Sequence, residues 1–528
     1  MAHLFSLWVT QAADCKEVTP AIKPKGAGLQ YRGEADILAP GAKRTSSQTL
    51  SGELMTDEIA HEAWSSRLAF VLVSIGATVG LGNLWRFPFA AGESGAGAFV
   101  LVYLVAVFII AAPLFMAETL IGRFGRHSAP NSLRLLARQR GKSEHWRHVG
   151  WLCIVTSLLV LSFFSVIAGN SLAYVFKTAS GAFAEATRGE ITQIFADYAG
   201  SPWAVLFWHT VFAGATAFIV SRGIQGGLER AGRLLLPALF LILVLLVIYA
   251  AIEGAFMEAA DYLFNFDLEA ITPAIVLAAF GQAFFTMSIG SGGILTYGAY
   301  IGKRLPIART TMFIASGDTL VALLAGLAIF PLALAFGGGT EGSRDYVFTS
   351  LPVAFAGMPF GTLVGTLFYL LFAFAAITST IGLLEVAVSY FEESGKMSRQ
   401  KAALAMTAVF WFVGIGSALS FNLWSDVYPL SFLPVFEQSN FMSILNWTIG
   451  SVILLAVGLF FSLWAGWWLP QDRVQEELGL ADGWFRIWQL VVRWIAPLVI
   501  ATIFISQFLP SQGPEPGGET GIEEARNA

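Results

Sequence analysis

The sequence predicts an all-α membrane protein of eleven transmembrane helices, with helices 1 and 6 interrupted and the first ten arranged as a 5+5 inverted repeat. Three observations lead there: 56% hydrophobic against 13% charged residues, a mean hydropathy of +0.67, and glycine clusters in two of the apolar segments. A water-soluble domain carries about 25% charged residues, so most of this chain meets a solvent other than water. A length of 528 residues would suit several soluble domains, but no polar module separates the apolar segments.

A hydrocarbon core of about 30 Å needs about 20 apolar residues per helix. Segments of that kind fall near 66–90, 97–121, 150–177, 202–220, 231–252, 272–299, 309–336, 360–391, 400–421, 440–468 and 484–509. They show no strand-like alternation, and backbone groups in lipid must be satisfied within the segment, so helix is the expected form. Loop charge sets the orientation. The loop after the second span holds Arg123, Arg126, Arg134, Arg138, Arg140, Lys142 and Arg147. Its alternates hold Arg222, Arg230 and Arg233, then Lys303, Arg304 and Arg309, then Lys396, Arg399 and Lys401. The opposite loops are nearly free of basic residues: 253–269 has none, and Arg344 stands alone in its loop. The N-terminus is therefore expected in the cytoplasm, and eleven spans put the acidic tail after Pro510 outside the cell inner (plasma) membrane.

Composition excludes other classes. A net charge of −5 argues against a nucleic-acid partner, which needs a basic face. Cys15 and Cys153 make neither a disulfide framework nor a zinc spacing. The six histidines are His3, His61, His127, His145, His148 and His209. They form no helical metal pair on a span, so no enzyme is expected, nor an organic cofactor.

The first span reads AFVLVSIGATVGLGNLWRFPFAAGESGAGAF, with Gly76, Gly80, Gly82 and Pro88 in its middle. The sixth reads AFGQAFFTMSIGSGGILTYGAY, with Gly290, Gly292 and Gly293 beside Thr286, Ser288 and Ser291. Glycine costs about 1 kcal/mol in a helix interior, so both clusters argue for a break. Breaks five spans apart point to a repeated half, the pattern of transporters that bind substrate at the bilayer midplane. Close helix packing through small residues is the plainer reading. Asn83, Arg86 and Thr286 add polarity that packing does not need. The seventh span brings Asp318 and the eighth Thr378, Ser379 and Thr380. A single such hydroxyl more often bonds back to its own helix. Four spans carrying hydroxyl, carboxylate, amide and freed carbonyl oxygens suit a small hard cation.

These residues resemble the neurotransmitter:sodium symporter family, in particular its bacterial eleven-span amino-acid transporters. The similarity runs from about Trp64 to Leu509 and rests on WSSRLAF, GATVGLGNLWRFPF, SGAGAF, PLFMAETLIGRFGR, GQAFFTMSIGSGG, DTLVALLAGLAIFP and FAAITSTIGLLEV in this order. The resemblance implies a sodium-coupled symporter importing a small amine-bearing solute by alternating access, with two sodium sites. One would use the Thr78 carbonyl with Asn83, Thr286 and Asp318. The other would use the carbonyls of Gly76, Val79 and Ala375 with the Thr378 and Ser379 hydroxyls. The solute would lie among Ala77, Leu81, Gly82, Val160, Phe164, Phe285, Ser288, Ser291, Ser379 and Leu383. Relatives that lack a carboxylate at Asp318 use chloride, so chloride-independent transport is expected.

The chain departs from the family pattern at four places. Phe164 stands where a tyrosine is usual, and Ser291 where an aromatic often closes the pocket. Opposite Arg86 of the outer gate Asn440 stands where an acid is usual, with Glu437 one turn earlier as the substitute. At the inner gate His61 stands for an arginine and Glu393 for an aspartate; His61 is either a gate residue or a solvated tail residue. With altered gates, a non-concentrative channel or a receptor-like protein on the same scaffold is the alternative. The organisation implied is an extension over 1–60, expected disordered and cytoplasmic, a transporter domain over 61–509, and an acidic disordered tail over 510–528. Met55 begins a plausible alternative start, MTDEIAHEAW. Expected partners are the solute, sodium and membrane lipid. Glu118 is expected to pair with a basic residue or a helix end, Glu385 to line the release path or balance a buried arginine, and Trp467 with Trp468 to mark a membrane boundary.

Overall fold

The computed structural model describes residues 63–302, 305–336 and 347–508. The extension with His61 and the tail after Pro510 lie outside the described residues. The described residues form one compact unit. It starts with α1 (Arg67–Thr78), whose first turn is fixed by Ser66: its hydroxyl accepts from Ala69 N at 3.1 Å, satisfying one of the amides a helix start leaves orphaned. The chain breaks after Thr78 and resumes in α2 (Gly82–Glu93), bent from α1 by 49°.

Then follow α3 (Ala96–Gly125), α4 (Ala129–Gln139), α5 (Glu144–Ala179), α6 (Arg188–Ala199), α7 (Pro202–Ser221), α8 (Ile224–Glu253) and α9 (Phe256–Phe264). The sixth apolar segment is two short helices, α10 (Pro273–Thr286) and α11 (Gly293–Ala299). The rest is α12 (Ile307–Ala335), α13 (Ser350–Gly357), α14 (Gly361–Glu393), α15 (Arg399–Leu419), α16 (Phe441–Trp468), α17 (Gln471–Leu478) and α18 (Asp482–Ser506). No strand occurs among the described residues.

Nine of these helices are long and apolar enough to cross a bilayer, and the bent α1–α2 pair makes a tenth. Neither α10 nor α11 reaches that length alone. The expected interruptions in the first and sixth segments are thus both present, as a five-helix repeat requires.

Burial separates the helices into a centre and a rim. The apolar stretches of α5 and α14 are 78% and 72% buried, those of α8 and α18 only 33% and 28%. The exposed bulk of the rim, such as Phe207, Phe218, Leu234, Leu241, Ile252 and Leu498, is the surface a lipid solvent permits. α5 and α14 pack along their length, and α1, α7 and α8 close on α14. The two broken segments lie against this pair. One end of the bundle carries the start of α1, the α3–α4 and α14–α15 loops and α17; it is called here the basic end.

Candidate functional site

The break between α1 and α2 frees backbone groups that an intact helix would use. Gly80 N is taken up by Asn83 Oδ1 at 3.1 Å, so the asparagine holds the bend in shape. The carbonyls of Gly76 and Val79 face α14, where the Ser379 hydroxyl lies 3.5 and 3.4 Å from them and 3.2 Å from the carbonyl of Ala375. Thr378 Oγ1, beside it, lies 2.9 Å from Ala375 O. The contacts to α1 are at the outer limit of hydrogen bonding, whereas those to Ala375 are ordinary bonds within α14. Close approach requires the glycines: a methyl on Gly76 would lie 3.1 Å from Thr378 Cβ, and one on Gly80 2.5 Å from Ser379 Oγ. The third hydroxyl of the run, Thr380, turns away to Thr216 of α7 at 3.1 Å.

A second polar centre forms around Asp318 of α12, which has no exposed surface. Its carboxylate accepts from Asn83 Nδ2 at 3.0 Å and from Thr286 Oγ1, the last residue of α10, at 2.9 Å. Asn83 Nδ2 also reaches the Asp318 carbonyl at 3.0 Å. Gln282 Nε2 donates to Gly82 O at 2.8 Å. Among the described residues Asp318 has no ion pair. The hydroxyls of Tyr103 and Thr319 and the Gln282 carbonyl are buried without hydrogen-bond partners. Among the described residues this is a buried, oxygen-rich cluster with donors to spare and no cationic side chain paired to it.

Between the two centres runs the irregular segment from Met287 to Gly292. Gly290 and Gly292 take φ of +83° and +79°, open to glycine, and Ser288 takes +53°, a conformation that costs a side chain energy. Ser288 Oγ reaches Ala77 O at 3.3 Å, and Ser291 Oγ bonds Ser288 O at 2.8 Å, so the broken segments are joined through serine. Phe164 and Val160, one turn apart on α5, are buried, and the Phe164 ring lies 3.8 Å from where a Gly80 methyl would sit. Phe285 packs on Gly82, and the Arg86 guanidinium stands 4.4 Å over the Phe285 ring. Leu81 is buried, and Leu383 is half-buried one turn beyond Ser379. Of the residues chosen from the sequence, Ser379 meets Gly76, Val79 and Ala375, Asp318 meets Asn83 and Thr286, and Ser288 meets Ala77.

The gates differ from expectation. Asn440 does not pair with Arg86: it caps α16, its Oδ1 accepting from Ser443 N at 3.0 Å. Glu437 is exposed, and Arg86 has no ion pair among the described residues; its partner is the Phe285 ring. At the basic end, with His61 outside the described residues, Glu393 meets His127: Oε1 lies 2.5 Å from His127 Nδ1 and Oε2 accepts from Ser128 N at 2.7 Å. Ser128 precedes α4, so the carboxylate sits at a helix start, where a negative charge is favoured.

Of the two partners expected for Glu118, a basic residue or a helix end, the structure shows the helix end. Glu118 of α3 is fully buried, and its two oxygens accept from Gly290 N at 3.0 Å and Leu295 N at 3.3 Å. The helix end it meets is the start of α11, in the second break. The signal was present: a lone acid in an apolar helix, in a chain with a glycine-rich break elsewhere. Glu118→Ala would leave two buried amides unpaired at about 1–3 kcal/mol each. The expected result is a lower melting temperature and weaker sodium-dependent stabilisation; an unchanged melting curve would mean that the break stands without it.

The basic end is tied shut by further bonds. Trp64 Nε1 donates to Tyr297 O at 3.1 Å, and Ser65 binds both oxygens of Glu229 at 2.6 and 2.7 Å. Glu385 balances a buried arginine, Arg399, and accepts from the Tyr300 hydroxyl at 2.9 Å.

Two broken helices around buried oxygen clusters, inside a bundle with an apolar rim, have the form of a multi-pass membrane transporter. The chain belongs to the sodium:neurotransmitter symporter family, whose family model matches residues 61–192 and 190–515, which makes it a sodium-dependent transporter. It is 32% identical over 447 residues to the uncharacterized sodium-dependent transporter YhdH of Bacillus subtilis (strain 168), covering 84% of this chain and 97% of that one. An uncharacterized sodium-dependent transporter of Haemophilus influenzae is 30% identical over 462 residues, 86% of this chain and 99% of its own length. The crystal structure of MhsT in complex with L-phenylalanine superposes with a TM-score of 0.77 at 36% identity, covering 85% of this chain and all of that one.

Proposed function

We propose that this chain is a symporter that imports a small amine-bearing solute, an amino acid or a derivative, together with sodium held at two sites. The observation that carries it is the oxygen cluster at Ser379, where carbonyls freed by the α1–α2 break face the hydroxyls of an intact helix. Hard oxygen donors without nitrogen or sulfur suit a small hard cation. One ion would be held by Gly76, Val79, Ala375, Thr378 and Ser379. The other would be held by Thr78, Asn83, Thr286 and Asp318, with the Asn83 amide turned to present its oxygen. The solute would lie between them, against Ala77, Leu81, Gly82, Val160, Phe164, Phe285, Ser288, Ser291, Ser379 and Leu383. Likeness to a transporter solved with L-phenylalanine supports an amino acid. Phe164 carries no hydroxyl toward the solute, which leaves its carboxylate to backbone amides and sodium.

Transport would alternate between a state closed by the bonds of the basic end and one in which Arg86 and Phe285 cover the solute. With the basic loops in the cytoplasm, solute and sodium enter from outside, the N-terminus is cytoplasmic and the C-terminus external. The Asp318 carboxylate supplies the negative charge that two cations in a buried site need, so chloride is not required.

A thermal-shift screen of purified protein with amino acids, betaines and amines, in sodium and in potassium, tests the reading. Stabilisation by one solute class in sodium only is expected, with uptake unchanged when gluconate replaces chloride. Equal stabilisation in potassium would overturn the sodium sites; loss of uptake in gluconate would overturn the role given to Asp318. Sodium-dependent accumulation and counterflow in vesicles separate the symporter from a channel, which cannot concentrate a solute.

A further inference from the structure

At the basic end α16 finishes in two adjacent tryptophans, each with a cation over its ring. The guanidinium of Arg493 in α18 lies 5.6 Å from the Trp467 ring centre, and Lys142 Nζ, in the α4–α5 loop, lies 5.6 Å from that of Trp468. Trp468 packs inward on Trp146 and Trp464 at 4.8 and 5.1 Å. Trp467 packs on Trp494 at 5.1 Å. These last two rings are 47% and 55% exposed, on a face shared with Ile487, Leu490 and Leu498. That face belongs to the apolar rim.

Arg493 is half-buried in it. Its Nε donates to Gly466 O at 2.6 Å, which fixes its level at the end of α16. The stem lies so close that a methyl on Gly466 would come within 2.9 Å of Arg493 Cγ. Among the described residues neither Arg493 nor Lys142 has an acidic partner, whereas Arg123, Arg233 and Arg399 at the same end pair with Glu477, Glu229 and Glu385. A cation on a lipid-facing segment is expensive without a counter-charge. Loop charge for orientation accounts for Lys142, which is in a loop. It does not account for an arginine inside the 25-residue α18.

We propose that this corner binds an anionic glycerophospholipid, its phosphate on the Arg493 guanidinium and its headgroup reached by Lys142. The Nη1 and Nη2 edge matches a phosphate bidentately. Trp467 and Trp494 are amphipathic rings of the kind that sit at headgroup level and would seat the glycerol and upper acyl chain. Basic pockets between transmembrane helices are where such headgroups bind.

Native mass spectrometry of the full-length protein, with phosphatidylglycerol and phosphatidylcholine in equal amounts, reads the preference directly. The wild type is expected to retain phosphatidylglycerol over phosphatidylcholine. Arg493→Gln should reduce that preference by about fivefold, the scale of one basic residue at an anionic membrane surface. Arg140→Gln, at the exposed end of α4, should leave it unchanged. Inorganic phosphate alone should not displace the lipid. Equal retention of the two lipids by the wild type overturns the proposal whatever the variants do. So does a folded Arg493→Gln that keeps the preference, or displacement by phosphate, which would make this a site for a free anion.

Discussion

Asp318→Ala is expected to abolish sodium-driven solute accumulation, and Asp318→Asn to raise the sodium concentration for half-maximal uptake by about ten- to a hundredfold. The magnitude follows from replacing a charged oxygen ligand by a neutral one, a difference of about 1.5–3 kcal/mol. The asparagine keeps the shape and one oxygen, so bonds to Asn83 and Thr286 survive in part; alanine removes both and leaves their donors unpaired.

A second measurement separates a ligand from a merely structural acid. A buried carboxylate without a cation costs several kcal/mol, and Asp318 is wholly buried without an ion pair among the described residues. Asp318→Asn should therefore melt at or above the wild-type temperature in potassium and gain less from sodium, since a ligand stabilises in proportion to its affinity for the folded state. A variant with the wild-type sodium increment and wild-type uptake would remove Asp318 from the site.

Which parts of this arrangement could be read before the structure follows from the range of the forces involved. The breaks were legible because glycine in a helix is a local cost, paid at Gly80 and Gly82 and at Gly290 and Gly292 whatever surrounds them. The positive φ of Ser288 was not, because serine carries no such mark. Family pattern pointed to Ser379, whose hydroxyl lies 3.5 and 3.4 Å from the Gly76 and Val79 carbonyls, and period alone could not have told Thr380, which faces α7, from its neighbours.

The partners of the gate residues were hidden for a different reason. Glu393 has several histidines and arginines within the reach of a loop, and packing of the α3–α4 turn against α14 decides for His127. Asn440 was given to Arg86, but a residue before a helix meets the local demand of its amides first, and Ser443 N takes its side chain. Tyr103 and Gln282 were invisible as site residues because their role exists only relative to a distant break; for Glu118 a helix end was legible as a partner, but not which one.

The other large effect is expected at the basic end. The guanidinium of Arg399, at the start of α15, bonds both oxygens of Glu385 and donates from Nε to Val220 O of α7 at 2.9 Å and from Nη1 to Glu392 at 2.8 Å. Glu385 is fully buried and holds the Tyr300 hydroxyl, and Trp64 N bonds Tyr300 O at 3.3 Å. One ion pair therefore links α7, α14, the segment after α11 and the residues that lead into α1. Arg399→Ala strands a buried carboxylate, which costs about 3–5 kcal/mol when a partner is removed from a buried pair. Melting temperature should fall by several degrees, and uptake should fall with it as the closed basic end loses its latch. Adding Glu385→Gln to Arg399→Ala removes the stranded charge, so the double variant should recover much of the lost stability but not the uptake, because Tyr300 and Trp64 would still lack the charged anchor. Such a non-additive recovery is what two groups in direct contact show. If the double variant melted no higher than Arg399→Ala alone, the cost would not come from the stranded Glu385, and the latch would have to be sought among the bonds of Ser65 and Glu229.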